Sequence, residues 1–219
     1  MGLSSESLVA DIGSGTGILS ELFLKNGNTV FCVEPNEEMR KAAEELLSSY
    51  PGFRSITGTA EMTTLTATSV DFITAAQAFH WFDASKTRIE FSRILKPGGW
   101  VSLIWNTRRN TTPLMRGYEQ LVSNHATRPH SRVTRDRIGS EGLRNFLGEY
   151  VAKSFENSQT LNFEGLRGRL LSSSYVPLNG ESGYDTMLSE LRKLFDQYQE
   201  NDVIHLEYDT ELYCSQLST

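Results

Sequence analysis

The sequence predicts an open, doubly wound α/β sheet whose strands are mostly parallel. Three features predict this fold. Short apolar strand patterns recur about every 20–30 residues and are separated by segments of helix length, which is typical of parallel strands joined by right-handed crossovers. A glycine cluster stands between the first strand and the first helix. The chain ends in a long alternation of apolar and polar residues, which is typical of a half-buried antiparallel strand.

The first half of the chain alternates strand and helix patterns. Apolar or β-branched runs predict strands at 8–12, 29–33, 55–59, 70–76 and 100–105. Helical spacing predicts helices at 18–25, at 36–47 behind an Asn36 cap, and at 86–95. The expected buried face of the first helix consists of Ile18, Leu19, Leu22 and Phe23. A proline and two glycines at 96–99 predict a turn before the fifth strand.

The second half has a looser pattern. It predicts helices at 113–126, 166–171 and 187–198 and a strand at 158–163. In the last strand, the face expected to be buried consists of Ile204, Leu206, Tyr208, Leu212 and Cys214. The opposite face consists of His205, Glu207, Asp209, Glu211 and Tyr213. The sheet therefore has seven predicted strands. Since the sequence shows neither a linker nor a repeat, we expect a single domain over residues 1–219.

Length and composition exclude several classes of protein. The 219 residues are 38% hydrophobic, which suits a core that needs no disulfide or metal. The chain has no apolar run of the ~20 residues that a transmembrane helix needs and no signal-peptide pattern, so we expect a cytoplasmic protein without a membrane partner. The net charge of −6 disfavours a nucleic-acid partner. Cys32 and Cys214 are expected to be reduced thiols, and neither lies in a cluster that would bind a metal.

The glycine cluster, Asp11 to Gly17, carries the strongest functional signal. Its spacing is GxGxG, whereas the dinucleotide fingerprint GxGxxG would need a glycine where Ile18 stands. Asp11 would repel a pyrophosphate but would favour a ligand that carries an ammonium and a sulfonium. At the end of the second strand, Glu34 is placed to accept the ribose hydroxyls of an adenosine ligand.

Five segments resemble, in order and spacing, the motifs of class I S-adenosylmethionine-dependent methyltransferases. They are residues 9–17, 33–36, 58–61, 70–83 and 94–100. The stretch Gln-Ala-Phe-His-Trp-Phe, residues 77–82, is similar to the branch that contains trans-aconitate methyltransferases. The resemblance covers residues 8–106. It implies a Rossmann-like methyltransferase domain with a cofactor-binding half at 1–106, and substrate-side helices and the last two strands at 107–219.

The resemblance also implies the roles of individual residues. The methionine part of S-adenosylmethionine would be held by Asp11, Gly13, Ser14, Gly15 and Gly17. The nucleoside would be bound by Glu34 at the ribose and by Asn36, Met39, Ala60 and Glu61 around the adenine. Gln77 would lie beside the methyl donor, and His80 and Trp81 near the acceptor. Without the resemblance, two other interpretations stay open: Gln77 could cap the end of the fourth strand, and His80 could be a packed residue in the wall of the site.

The expected reaction is methyl transfer to a small molecule, with the enzyme a monomer or a homodimer. A carboxylate acceptor needs no base, whereas a hydroxyl or amine must lose a proton, for which His80 is the candidate catalytic base. An acidic acceptor would be held by cations, and Arg108 and Arg109 follow the fifth strand at the ligand side of the sheet. A further basic stretch lies at 128–137.

Two other functions stay open from the sequence alone. One is a non-catalytic module that binds S-adenosylmethionine, and the other is a nicotinamide-dependent oxidoreductase, which Asp11 and Ile18 disfavour. Methylation of nucleic acid is a weaker variant. Members of the family usually carry a helical segment ahead of the first strand, which here begins close to Met1. We therefore expect closure of the site by residues after Asn106 or by a second subunit, unless the chain is part of a longer protein.

Overall fold

The computed structural model describes residues 1–127, 135–173 and 175–217, with backbone only for 135–138. The strands are β1 (Leu8–Ile12), β2 (Thr29–Val33), β3 (Phe53–Ile56), β4 (Val70–Ala76), β5 (Leu95–Arg108), β6 (Val151–Leu161) and β7 (Ile204–Ser215). The helices are α1 (Ile18–Lys25), α2 (Glu37–Leu47), α3 (Ala84–Ile94), α4 (Pro113–His125), α5 (Arg135–Leu147), α6 (Phe163–Leu171) and α7 (Tyr184–Tyr198). A single 3-10 turn spans Phe79–Trp81.

The described strands form one seven-stranded sheet in the order β3-β2-β1-β4-β5-β7-β6. The pairs from β3 to β5 are parallel, whereas β7 is antiparallel to its neighbours β5 and β6. This arrangement confirms the predicted doubly wound, mostly parallel sheet with an antiparallel C-terminal strand. Because β1 lies between β2 and β4, the strand order reverses there, and the loop after β1 lies at the switch point where α/β sheets bind ligands.

Polar side chains cap the N-termini of four of the described helices, α2, α3, α4 and, through Asn162, α6. Asn36 Oδ1 accepts the N–H of Met39 at 3.0 Å and caps α2, as predicted. Asp83 caps α3 in the same way, and Thr112 caps α4 ahead of Pro113. The starts of these helices are therefore encoded locally, and they fix where the loops after β2 and β4 end.

Contacts within the chain group it into two units. The first comprises residues 1–105, 134–153 and 211–219, and the second comprises 106–133 and 154–210. In the first unit, the largest core cluster includes Ile12, Ile73, Phe79, Phe91 and Trp105, and a second cluster packs Val9 and Phe72 with residues of α1, α2 and β2. In the second unit, a separate core joins α4, α6, α7 and the start of β7, and includes Tyr118, Leu166, Leu191 and Phe195. Each unit thus has its own apolar interior.

The predicted buried face of α1 was wrong at two of its four residues, since Leu19 and Phe23 are partly buried but the other two are exposed. Ile18 is 81% exposed and Leu22 is 61% exposed, whereas Ser20 and Leu24 are buried. A hydrogen bond explains this orientation, because the hydroxyl of Ser20 points inward and donates to the buried Asp11. A serine on the inner face rotates the helix away from the orientation that hydrophobic periodicity alone predicts.

Two strand predictions also differ from the structure. The third strand begins earlier than predicted, because its residues Phe53–Ile56 pair with the last four residues of β2, directly after the turn at 51–52. The predicted turn at 96–99 lies inside β5: Val70 pairs with Leu95 and Phe72 pairs with Trp100, so the extra residues form an irregularity in the strand.

The last strand does not keep one buried face. Ile204, Leu206 and Tyr208 are buried as predicted, but Leu212 is only partly buried and Tyr213 is buried. The chain passes from the second unit to the first at residue 211, and Tyr213 there packs edge-on against Trp105 at 5.8 Å between ring centroids.

Helix α5 was not predicted, and most of the basic stretch at 128–137 lies outside the described residues. None of the described helices combines the length and the apolar character that crossing a membrane requires.

Candidate active site

The glycine loop after β1 is tied to the end of β2 through its backbone. The N–H groups of Gly13 and Ser14 both donate to the carbonyl of Val33, at 2.8 and 3.3 Å. The loop then closes on itself, since the N–H of Gly17 donates to the carbonyl of Ser14 at 2.9 Å, and Gly17 becomes the N-cap residue of α1. The loop therefore has a fixed backbone shape.

Glu34 supplies the second tie between the loop and β2. Its carboxylate is buried and accepts two backbone N–H groups: Oε2 accepts from Gly15 at 2.9 Å and Oε1 accepts from Asn36 at 2.8 Å. Each carboxylate oxygen has more than one acceptor position, so both oxygens can still accept further hydrogen bonds. The predicted ribose-binding carboxylate thus lies directly against the glycine loop.

The two central glycines of the loop serve different purposes. A Cβ on Gly13 would lie 2.6 Å from the Cβ of Ala78, so a side chain there is excluded by the segment that follows β4. A Cβ on Gly15 would meet nothing within 4 Å, although its φ of +57° favours glycine. Gly15 therefore lines open space beside Glu34. The hydroxyl of Ser14 is buried and has no hydrogen-bond partner among the described residues, which is typical of a group that a ligand completes.

Asp11, which was predicted to hold the methionine part of the cofactor, is almost completely buried. It is 1% exposed, and its two carboxylate oxygens accept hydrogen bonds from Ser20 at 2.6 Å and from Thr74 at 3.1 Å. Burial raises the pKa of Asp11 to about 6, and the negative charge of Glu34 acts in the same direction against the two hydroxyl donors. Asp11 is thus a buried carboxylate at the end of β1, and its charge depends on pH.

Sequence reasoning missed the two hydroxyls that hold Asp11. Thr74 is the register partner of Asp11 in the pair of β1 with β4, and it is a polar residue inside an apolar strand, which could have revealed it. Ser20 lacked such a signal, because a serine in a short amphipathic helix is unremarkable by sequence. Next to Ser20, burial raises the pKa of the Cys32 thiol to about 12, so this cysteine stays protonated.

The residues predicted to surround the adenine lie on α2 and on the loop after β3. Met39 is 47% exposed in the first turn of α2, behind the capping side chain of Asn36. Ala60 is buried. The carboxylate of Glu61 accepts the N–H of Asp83 at 2.8 Å, which ties this loop to the start of α3. Partial burial acts to raise the pKa of Glu61, but the hydrogen bonds from Asp83 and Thr59 outweigh it and the pKa is lowered.

Gln77 follows the last residue of β4 and has an unusual backbone. Its φ is +55°, a left-handed conformation that is uncommon for residues other than glycine. Its N–H donates to the carbonyl of Ile104 at 2.9 Å, which extends the pairing of β4 with β5, and the residue is exposed. Such strain in an exposed glutamine at the carboxyl end of a central strand is typical of a functional residue.

The 3-10 turn after Gln77 presents two aromatic side chains and anchors a third. Phe79 is buried and packs on Phe146 at 4.4 Å between ring centroids. The next residue, His80, is half-buried, and its Nδ1 is buried with no hydrogen-bond partner in the part of the chain that the structure describes. Burial lowers the pKa of His80 below 6.5, so the imidazole is neutral at pH 7. Trp81 is 74% exposed, with its ring 4.8 Å from that of His80.

The two arginines predicted to bind an acidic acceptor lie in the second unit and are ion-paired. Arg108 contacts Glu119 at 3.1 Å. Arg109 contacts Glu156 at 2.8 Å and Asp209 at 3.2 Å. Two carboxylates offset the single charge of Arg109, whereas Arg108 faces one.

Comparison with known proteins identifies the fold that carries this site. Residues 10–103, which include every cofactor-binding candidate from Asp11 to Gln77, match the family model of the methyltransferase domain. This segment is a methyltransferase domain. The match and the sheet topology confirm the predicted relation to class I S-adenosylmethionine-dependent methyltransferases, and they support S-adenosylmethionine as the cofactor of the domain.

Relatives of the methyltransferase domain occur in bacteria and in yeast. An uncharacterized methyltransferase of Mycobacterium bovis is 35% identical over 126 residues, which are 58% of this chain and 51% of that protein. The chain thus spans about half the length of this mycobacterial relative. An uncharacterized methyltransferase-like protein of Schizosaccharomyces pombe is 26% identical over 98% of this chain and 84% of its own length. Neither name specifies an acceptor, so the trans-aconitate branch stays a prediction.

A solved structure supports the fold over nearly the whole chain. A protein from Anaeromyxobacter dehalogenans, assigned as a type II methyltransferase, superposes with a TM-score of 0.69 at 20% identity and covers 95% of this chain and 89% of its own. At this identity the similarity concerns the fold.

Among the described residues, no group of three His, Cys, Asp or Glu side chains is placed to hold a metal ion.

Proposed function

We propose that the chain is an S-adenosylmethionine-dependent methyltransferase that acts on a small molecule. One observation carries the proposal: the buried carboxylate of Glu34 is fixed against Gly15, whose missing side chain leaves open space beside it. When bound, S-adenosylmethionine supplies an electrophilic methyl group on a sulfonium. The protein's own contribution is then alignment, exclusion of water and, for some acceptors, removal of a proton.

The residues of the methyltransferase domain fit this cofactor. The remaining acceptor positions of Glu34 suit two neighbouring ribose hydroxyls. The unpartnered hydroxyl of Ser14 suits a polar group of the ligand. The carboxylates of Asp11 and Glu34 interact electrostatically, and a cationic ligand next to them would relieve their repulsion. A dinucleotide, whose pyrophosphate is anionic, would increase that repulsion.

His80 is the proposed base for acceptors that must lose a proton. Its lowered pKa keeps the imidazole neutral at pH 7, so that a ring nitrogen can take the proton of a hydroxyl or an amine. The exposed ring of Trp81 beside it would form a wall for the acceptor. A carboxylate acceptor is already ionised at pH 7 and would not need His80.

Turnover with a panel of acceptors tests this proposal. Purified protein and S-adenosylmethionine are incubated with carboxylic acids, phenols and amines, and methylated products are detected by mass spectrometry. We expect transfer to acids to be preferred. We expect His80→Gln to reduce kcat for phenols and amines by about 100-fold or more but to leave transfer to acids within a factor of two or so. Cofactor binding without turnover on any class would favour the non-catalytic module.

A further inference from the structure

The second unit contains a cluster of arginine and tyrosine side chains from separate elements. Arg108 ends β5, Tyr118 lies in α4, Arg169 in α6 and Tyr208 in β7, while Tyr175 follows α6. We call these five residues the arginine–tyrosine cluster. Tyr118 and Tyr208 are buried at 1% and 2% exposure, whereas both arginines and Tyr175 are partly exposed.

The hydroxyl of Tyr118 is a hydrogen-bond donor for which the described residues provide no acceptor. This hydroxyl is buried and has no partner among the described residues. Burial raises the pKa of Tyr118 well above 10, so the hydroxyl keeps its proton under all ordinary conditions. The guanidinium carbon of Arg108 lies 5.5 Å from the centre of the tyrosine ring, and the charges of both Arg108 and Arg169 act on the hydroxyl. The surroundings of this donor are therefore positive.

The cluster carries more positive than negative charge. Arg108 pairs with Glu119 and is hydrogen-bonded to Tyr175. Arg169 donates from Nε to the hydroxyl of Tyr208 at 3.3 Å and from Nη1 to the hydroxyl of Ser172 at 3.2 Å. Within the described part of the chain, no carboxylate pairs with Arg169. Among the described residues, the two guanidinium groups of the cluster thus have one paired carboxylate between them, that of Glu119 on Arg108.

A purely structural role does not account for this arrangement. A phenylalanine at position 118 would fill the same apolar core, next to Leu166 and Leu191, without leaving a buried hydroxyl unpaired. An unpaired donor in a positive environment is satisfied by an acceptor that is itself negative. The guanidinium fork and the phenolic hydroxyls together suit the oxygens of a carboxylate or a phosphate.

We propose that the arginine–tyrosine cluster binds a small carboxylate or phosphate anion, which pairs with Arg169 and Arg108 and accepts a hydrogen bond from the hydroxyl of Tyr118. This site deepens the acidic-acceptor part of the proposed function, and it rests on that function only where the anion is taken to be the methyl acceptor. It replaces Arg109 of the sequence prediction, whose charge is already offset by two carboxylates of the described residues.

Anion binding is tested without S-adenosylmethionine, so that its result is independent of methyl transfer. The intact protein is titrated by calorimetry with citrate and, in a separate arm, with inorganic phosphate, at constant ionic strength. The variants are Tyr118→Phe and Arg169→Gln. Arg167→Gln is the matched control, because Arg167 lies on the same helix and pairs with the exposed Glu164. Thermal unfolding of each variant without anion reports whether it is folded.

We expect saturable binding of at least one anion and a loss of about tenfold or more in both cluster variants, as for one hydrogen bond to a charged group. Arg167→Gln should bind within about a factor of two of the wild type. Tyr118→Phe should unfold at the same or a higher temperature than the wild type, because it removes an unpaired hydroxyl. Absence of saturable binding to both anions, or equal affinity of Tyr118→Phe and the wild type, would overturn the proposal. Failure to bind S-adenosylmethionine would instead contradict the proposed function alone.

Discussion

The carboxylate of Glu34 accepts the backbone N–H of Gly15 at 2.9 Å, so the end of β2 fixes the middle of the glycine loop. The same carboxylate accepts the N–H of Asn36, the residue that caps α2. A single side chain therefore holds the loop after β1 and the start of α2 in one arrangement. Any ligand that contacts both segments meets a site that is already formed, which reduces the entropy lost on binding.

The glycine loop predicts a contrast between two alanine substitutions. Gly15→Ala projects into open space and costs only the strain of a left-handed alanine, about 1 kcal/mol in the free energy of unfolding. Gly13→Ala also collides with Ala78 and should cost about 3 kcal/mol. Urea unfolding measures both. Equal stabilities of the two variants would show that the contact with Ala78 does not constrain the loop.

The left-handed backbone of Gln77 predicts that stability and function oppose each other there. Gln77→Gly and Gln77→Ala remove the same side chain, but only glycine relieves the strain. We expect the glycine variant to be more stable than the alanine variant by about 1 kcal/mol, and both to lose methyl transfer to a similar extent. Full activity in both variants would assign Gln77 to the strand end alone.

The raised pKa of Asp11 predicts a particular dependence of stability on pH. The folded-state pKa of about 6 exceeds the unfolded value of 3.8, so the folded protein binds the proton more tightly. The stabilisation from this group is complete below pH 3.8 and is lost as the pH rises through 6. At about 1.4 kcal/mol per pKa unit, the loss is about 3 kcal/mol.

Asp11→Asn removes this titration. In the absence of cofactor, we expect the stability of the asparagine variant relative to the wild type to increase by about 2 kcal/mol between pH 4 and pH 7. Urea unfolding at both pH values measures the difference. If the difference between the two proteins were the same at both pH values, Asp11 would not be the buried group that titrates.

The lowered pKa of Glu90 predicts a dependence of stability on pH that is opposite to that of Asp11. Its carboxylate accepts hydrogen bonds from Arg93 and from the hydroxyl and N–H of Thr63, and the pKa is lowered to about 2, with Arg93 the main cause. The stabilisation is present above pH 4.5 and is lost as the pH falls towards 2. Glu90→Gln should therefore lose about 3 kcal/mol at pH 7 and progressively less in acid. Glu164→Gln, at an exposed ion pair, is the control and should change stability by less than about 1 kcal/mol.

The sequence predicted the parts of the site that depend on backbone geometry. Gly15 and Glu34 could be found because a left-handed turn needs glycine and because the ends of neighbouring parallel strands meet at one edge of the sheet. The environment of Asp11 could be found only in part, since Thr74 stands out as a polar residue in an apolar strand whereas Ser20 gives no such signal. The contact of Ser20 with Asp11 turned α1 away from its predicted apolar face. Tertiary hydrogen bonds overrode hydrophobic periodicity there.

In the second unit, local patterns predicted the helices but not their polar contacts. The helical spacing of residues 113–126 and 187–198 agrees with α4 and α7 to within three residues at each end. Arg108 was predicted as a cation for an acidic ligand, yet its neighbour Tyr175 comes from a distant part of the chain. Such a cluster has no sequence pattern, because it depends on how the helices pack.

Calorimetric titration with S-adenosylmethionine, on the wild type, Glu34→Gln and Glu37→Gln, tests the central claim most directly. Glutamine at 34 retains one acceptor oxygen where the carboxylate has two, whereas Glu37 lies on the surface of α2 and pairs only with Lys41 among the described residues. We predict saturable binding by the wild type, an unchanged affinity for Glu37→Gln, and an affinity about 10–100-fold lower for Glu34→Gln. A wild type that does not bind the cofactor, or a Glu34→Gln variant that binds it as tightly as the wild type, would contradict the account.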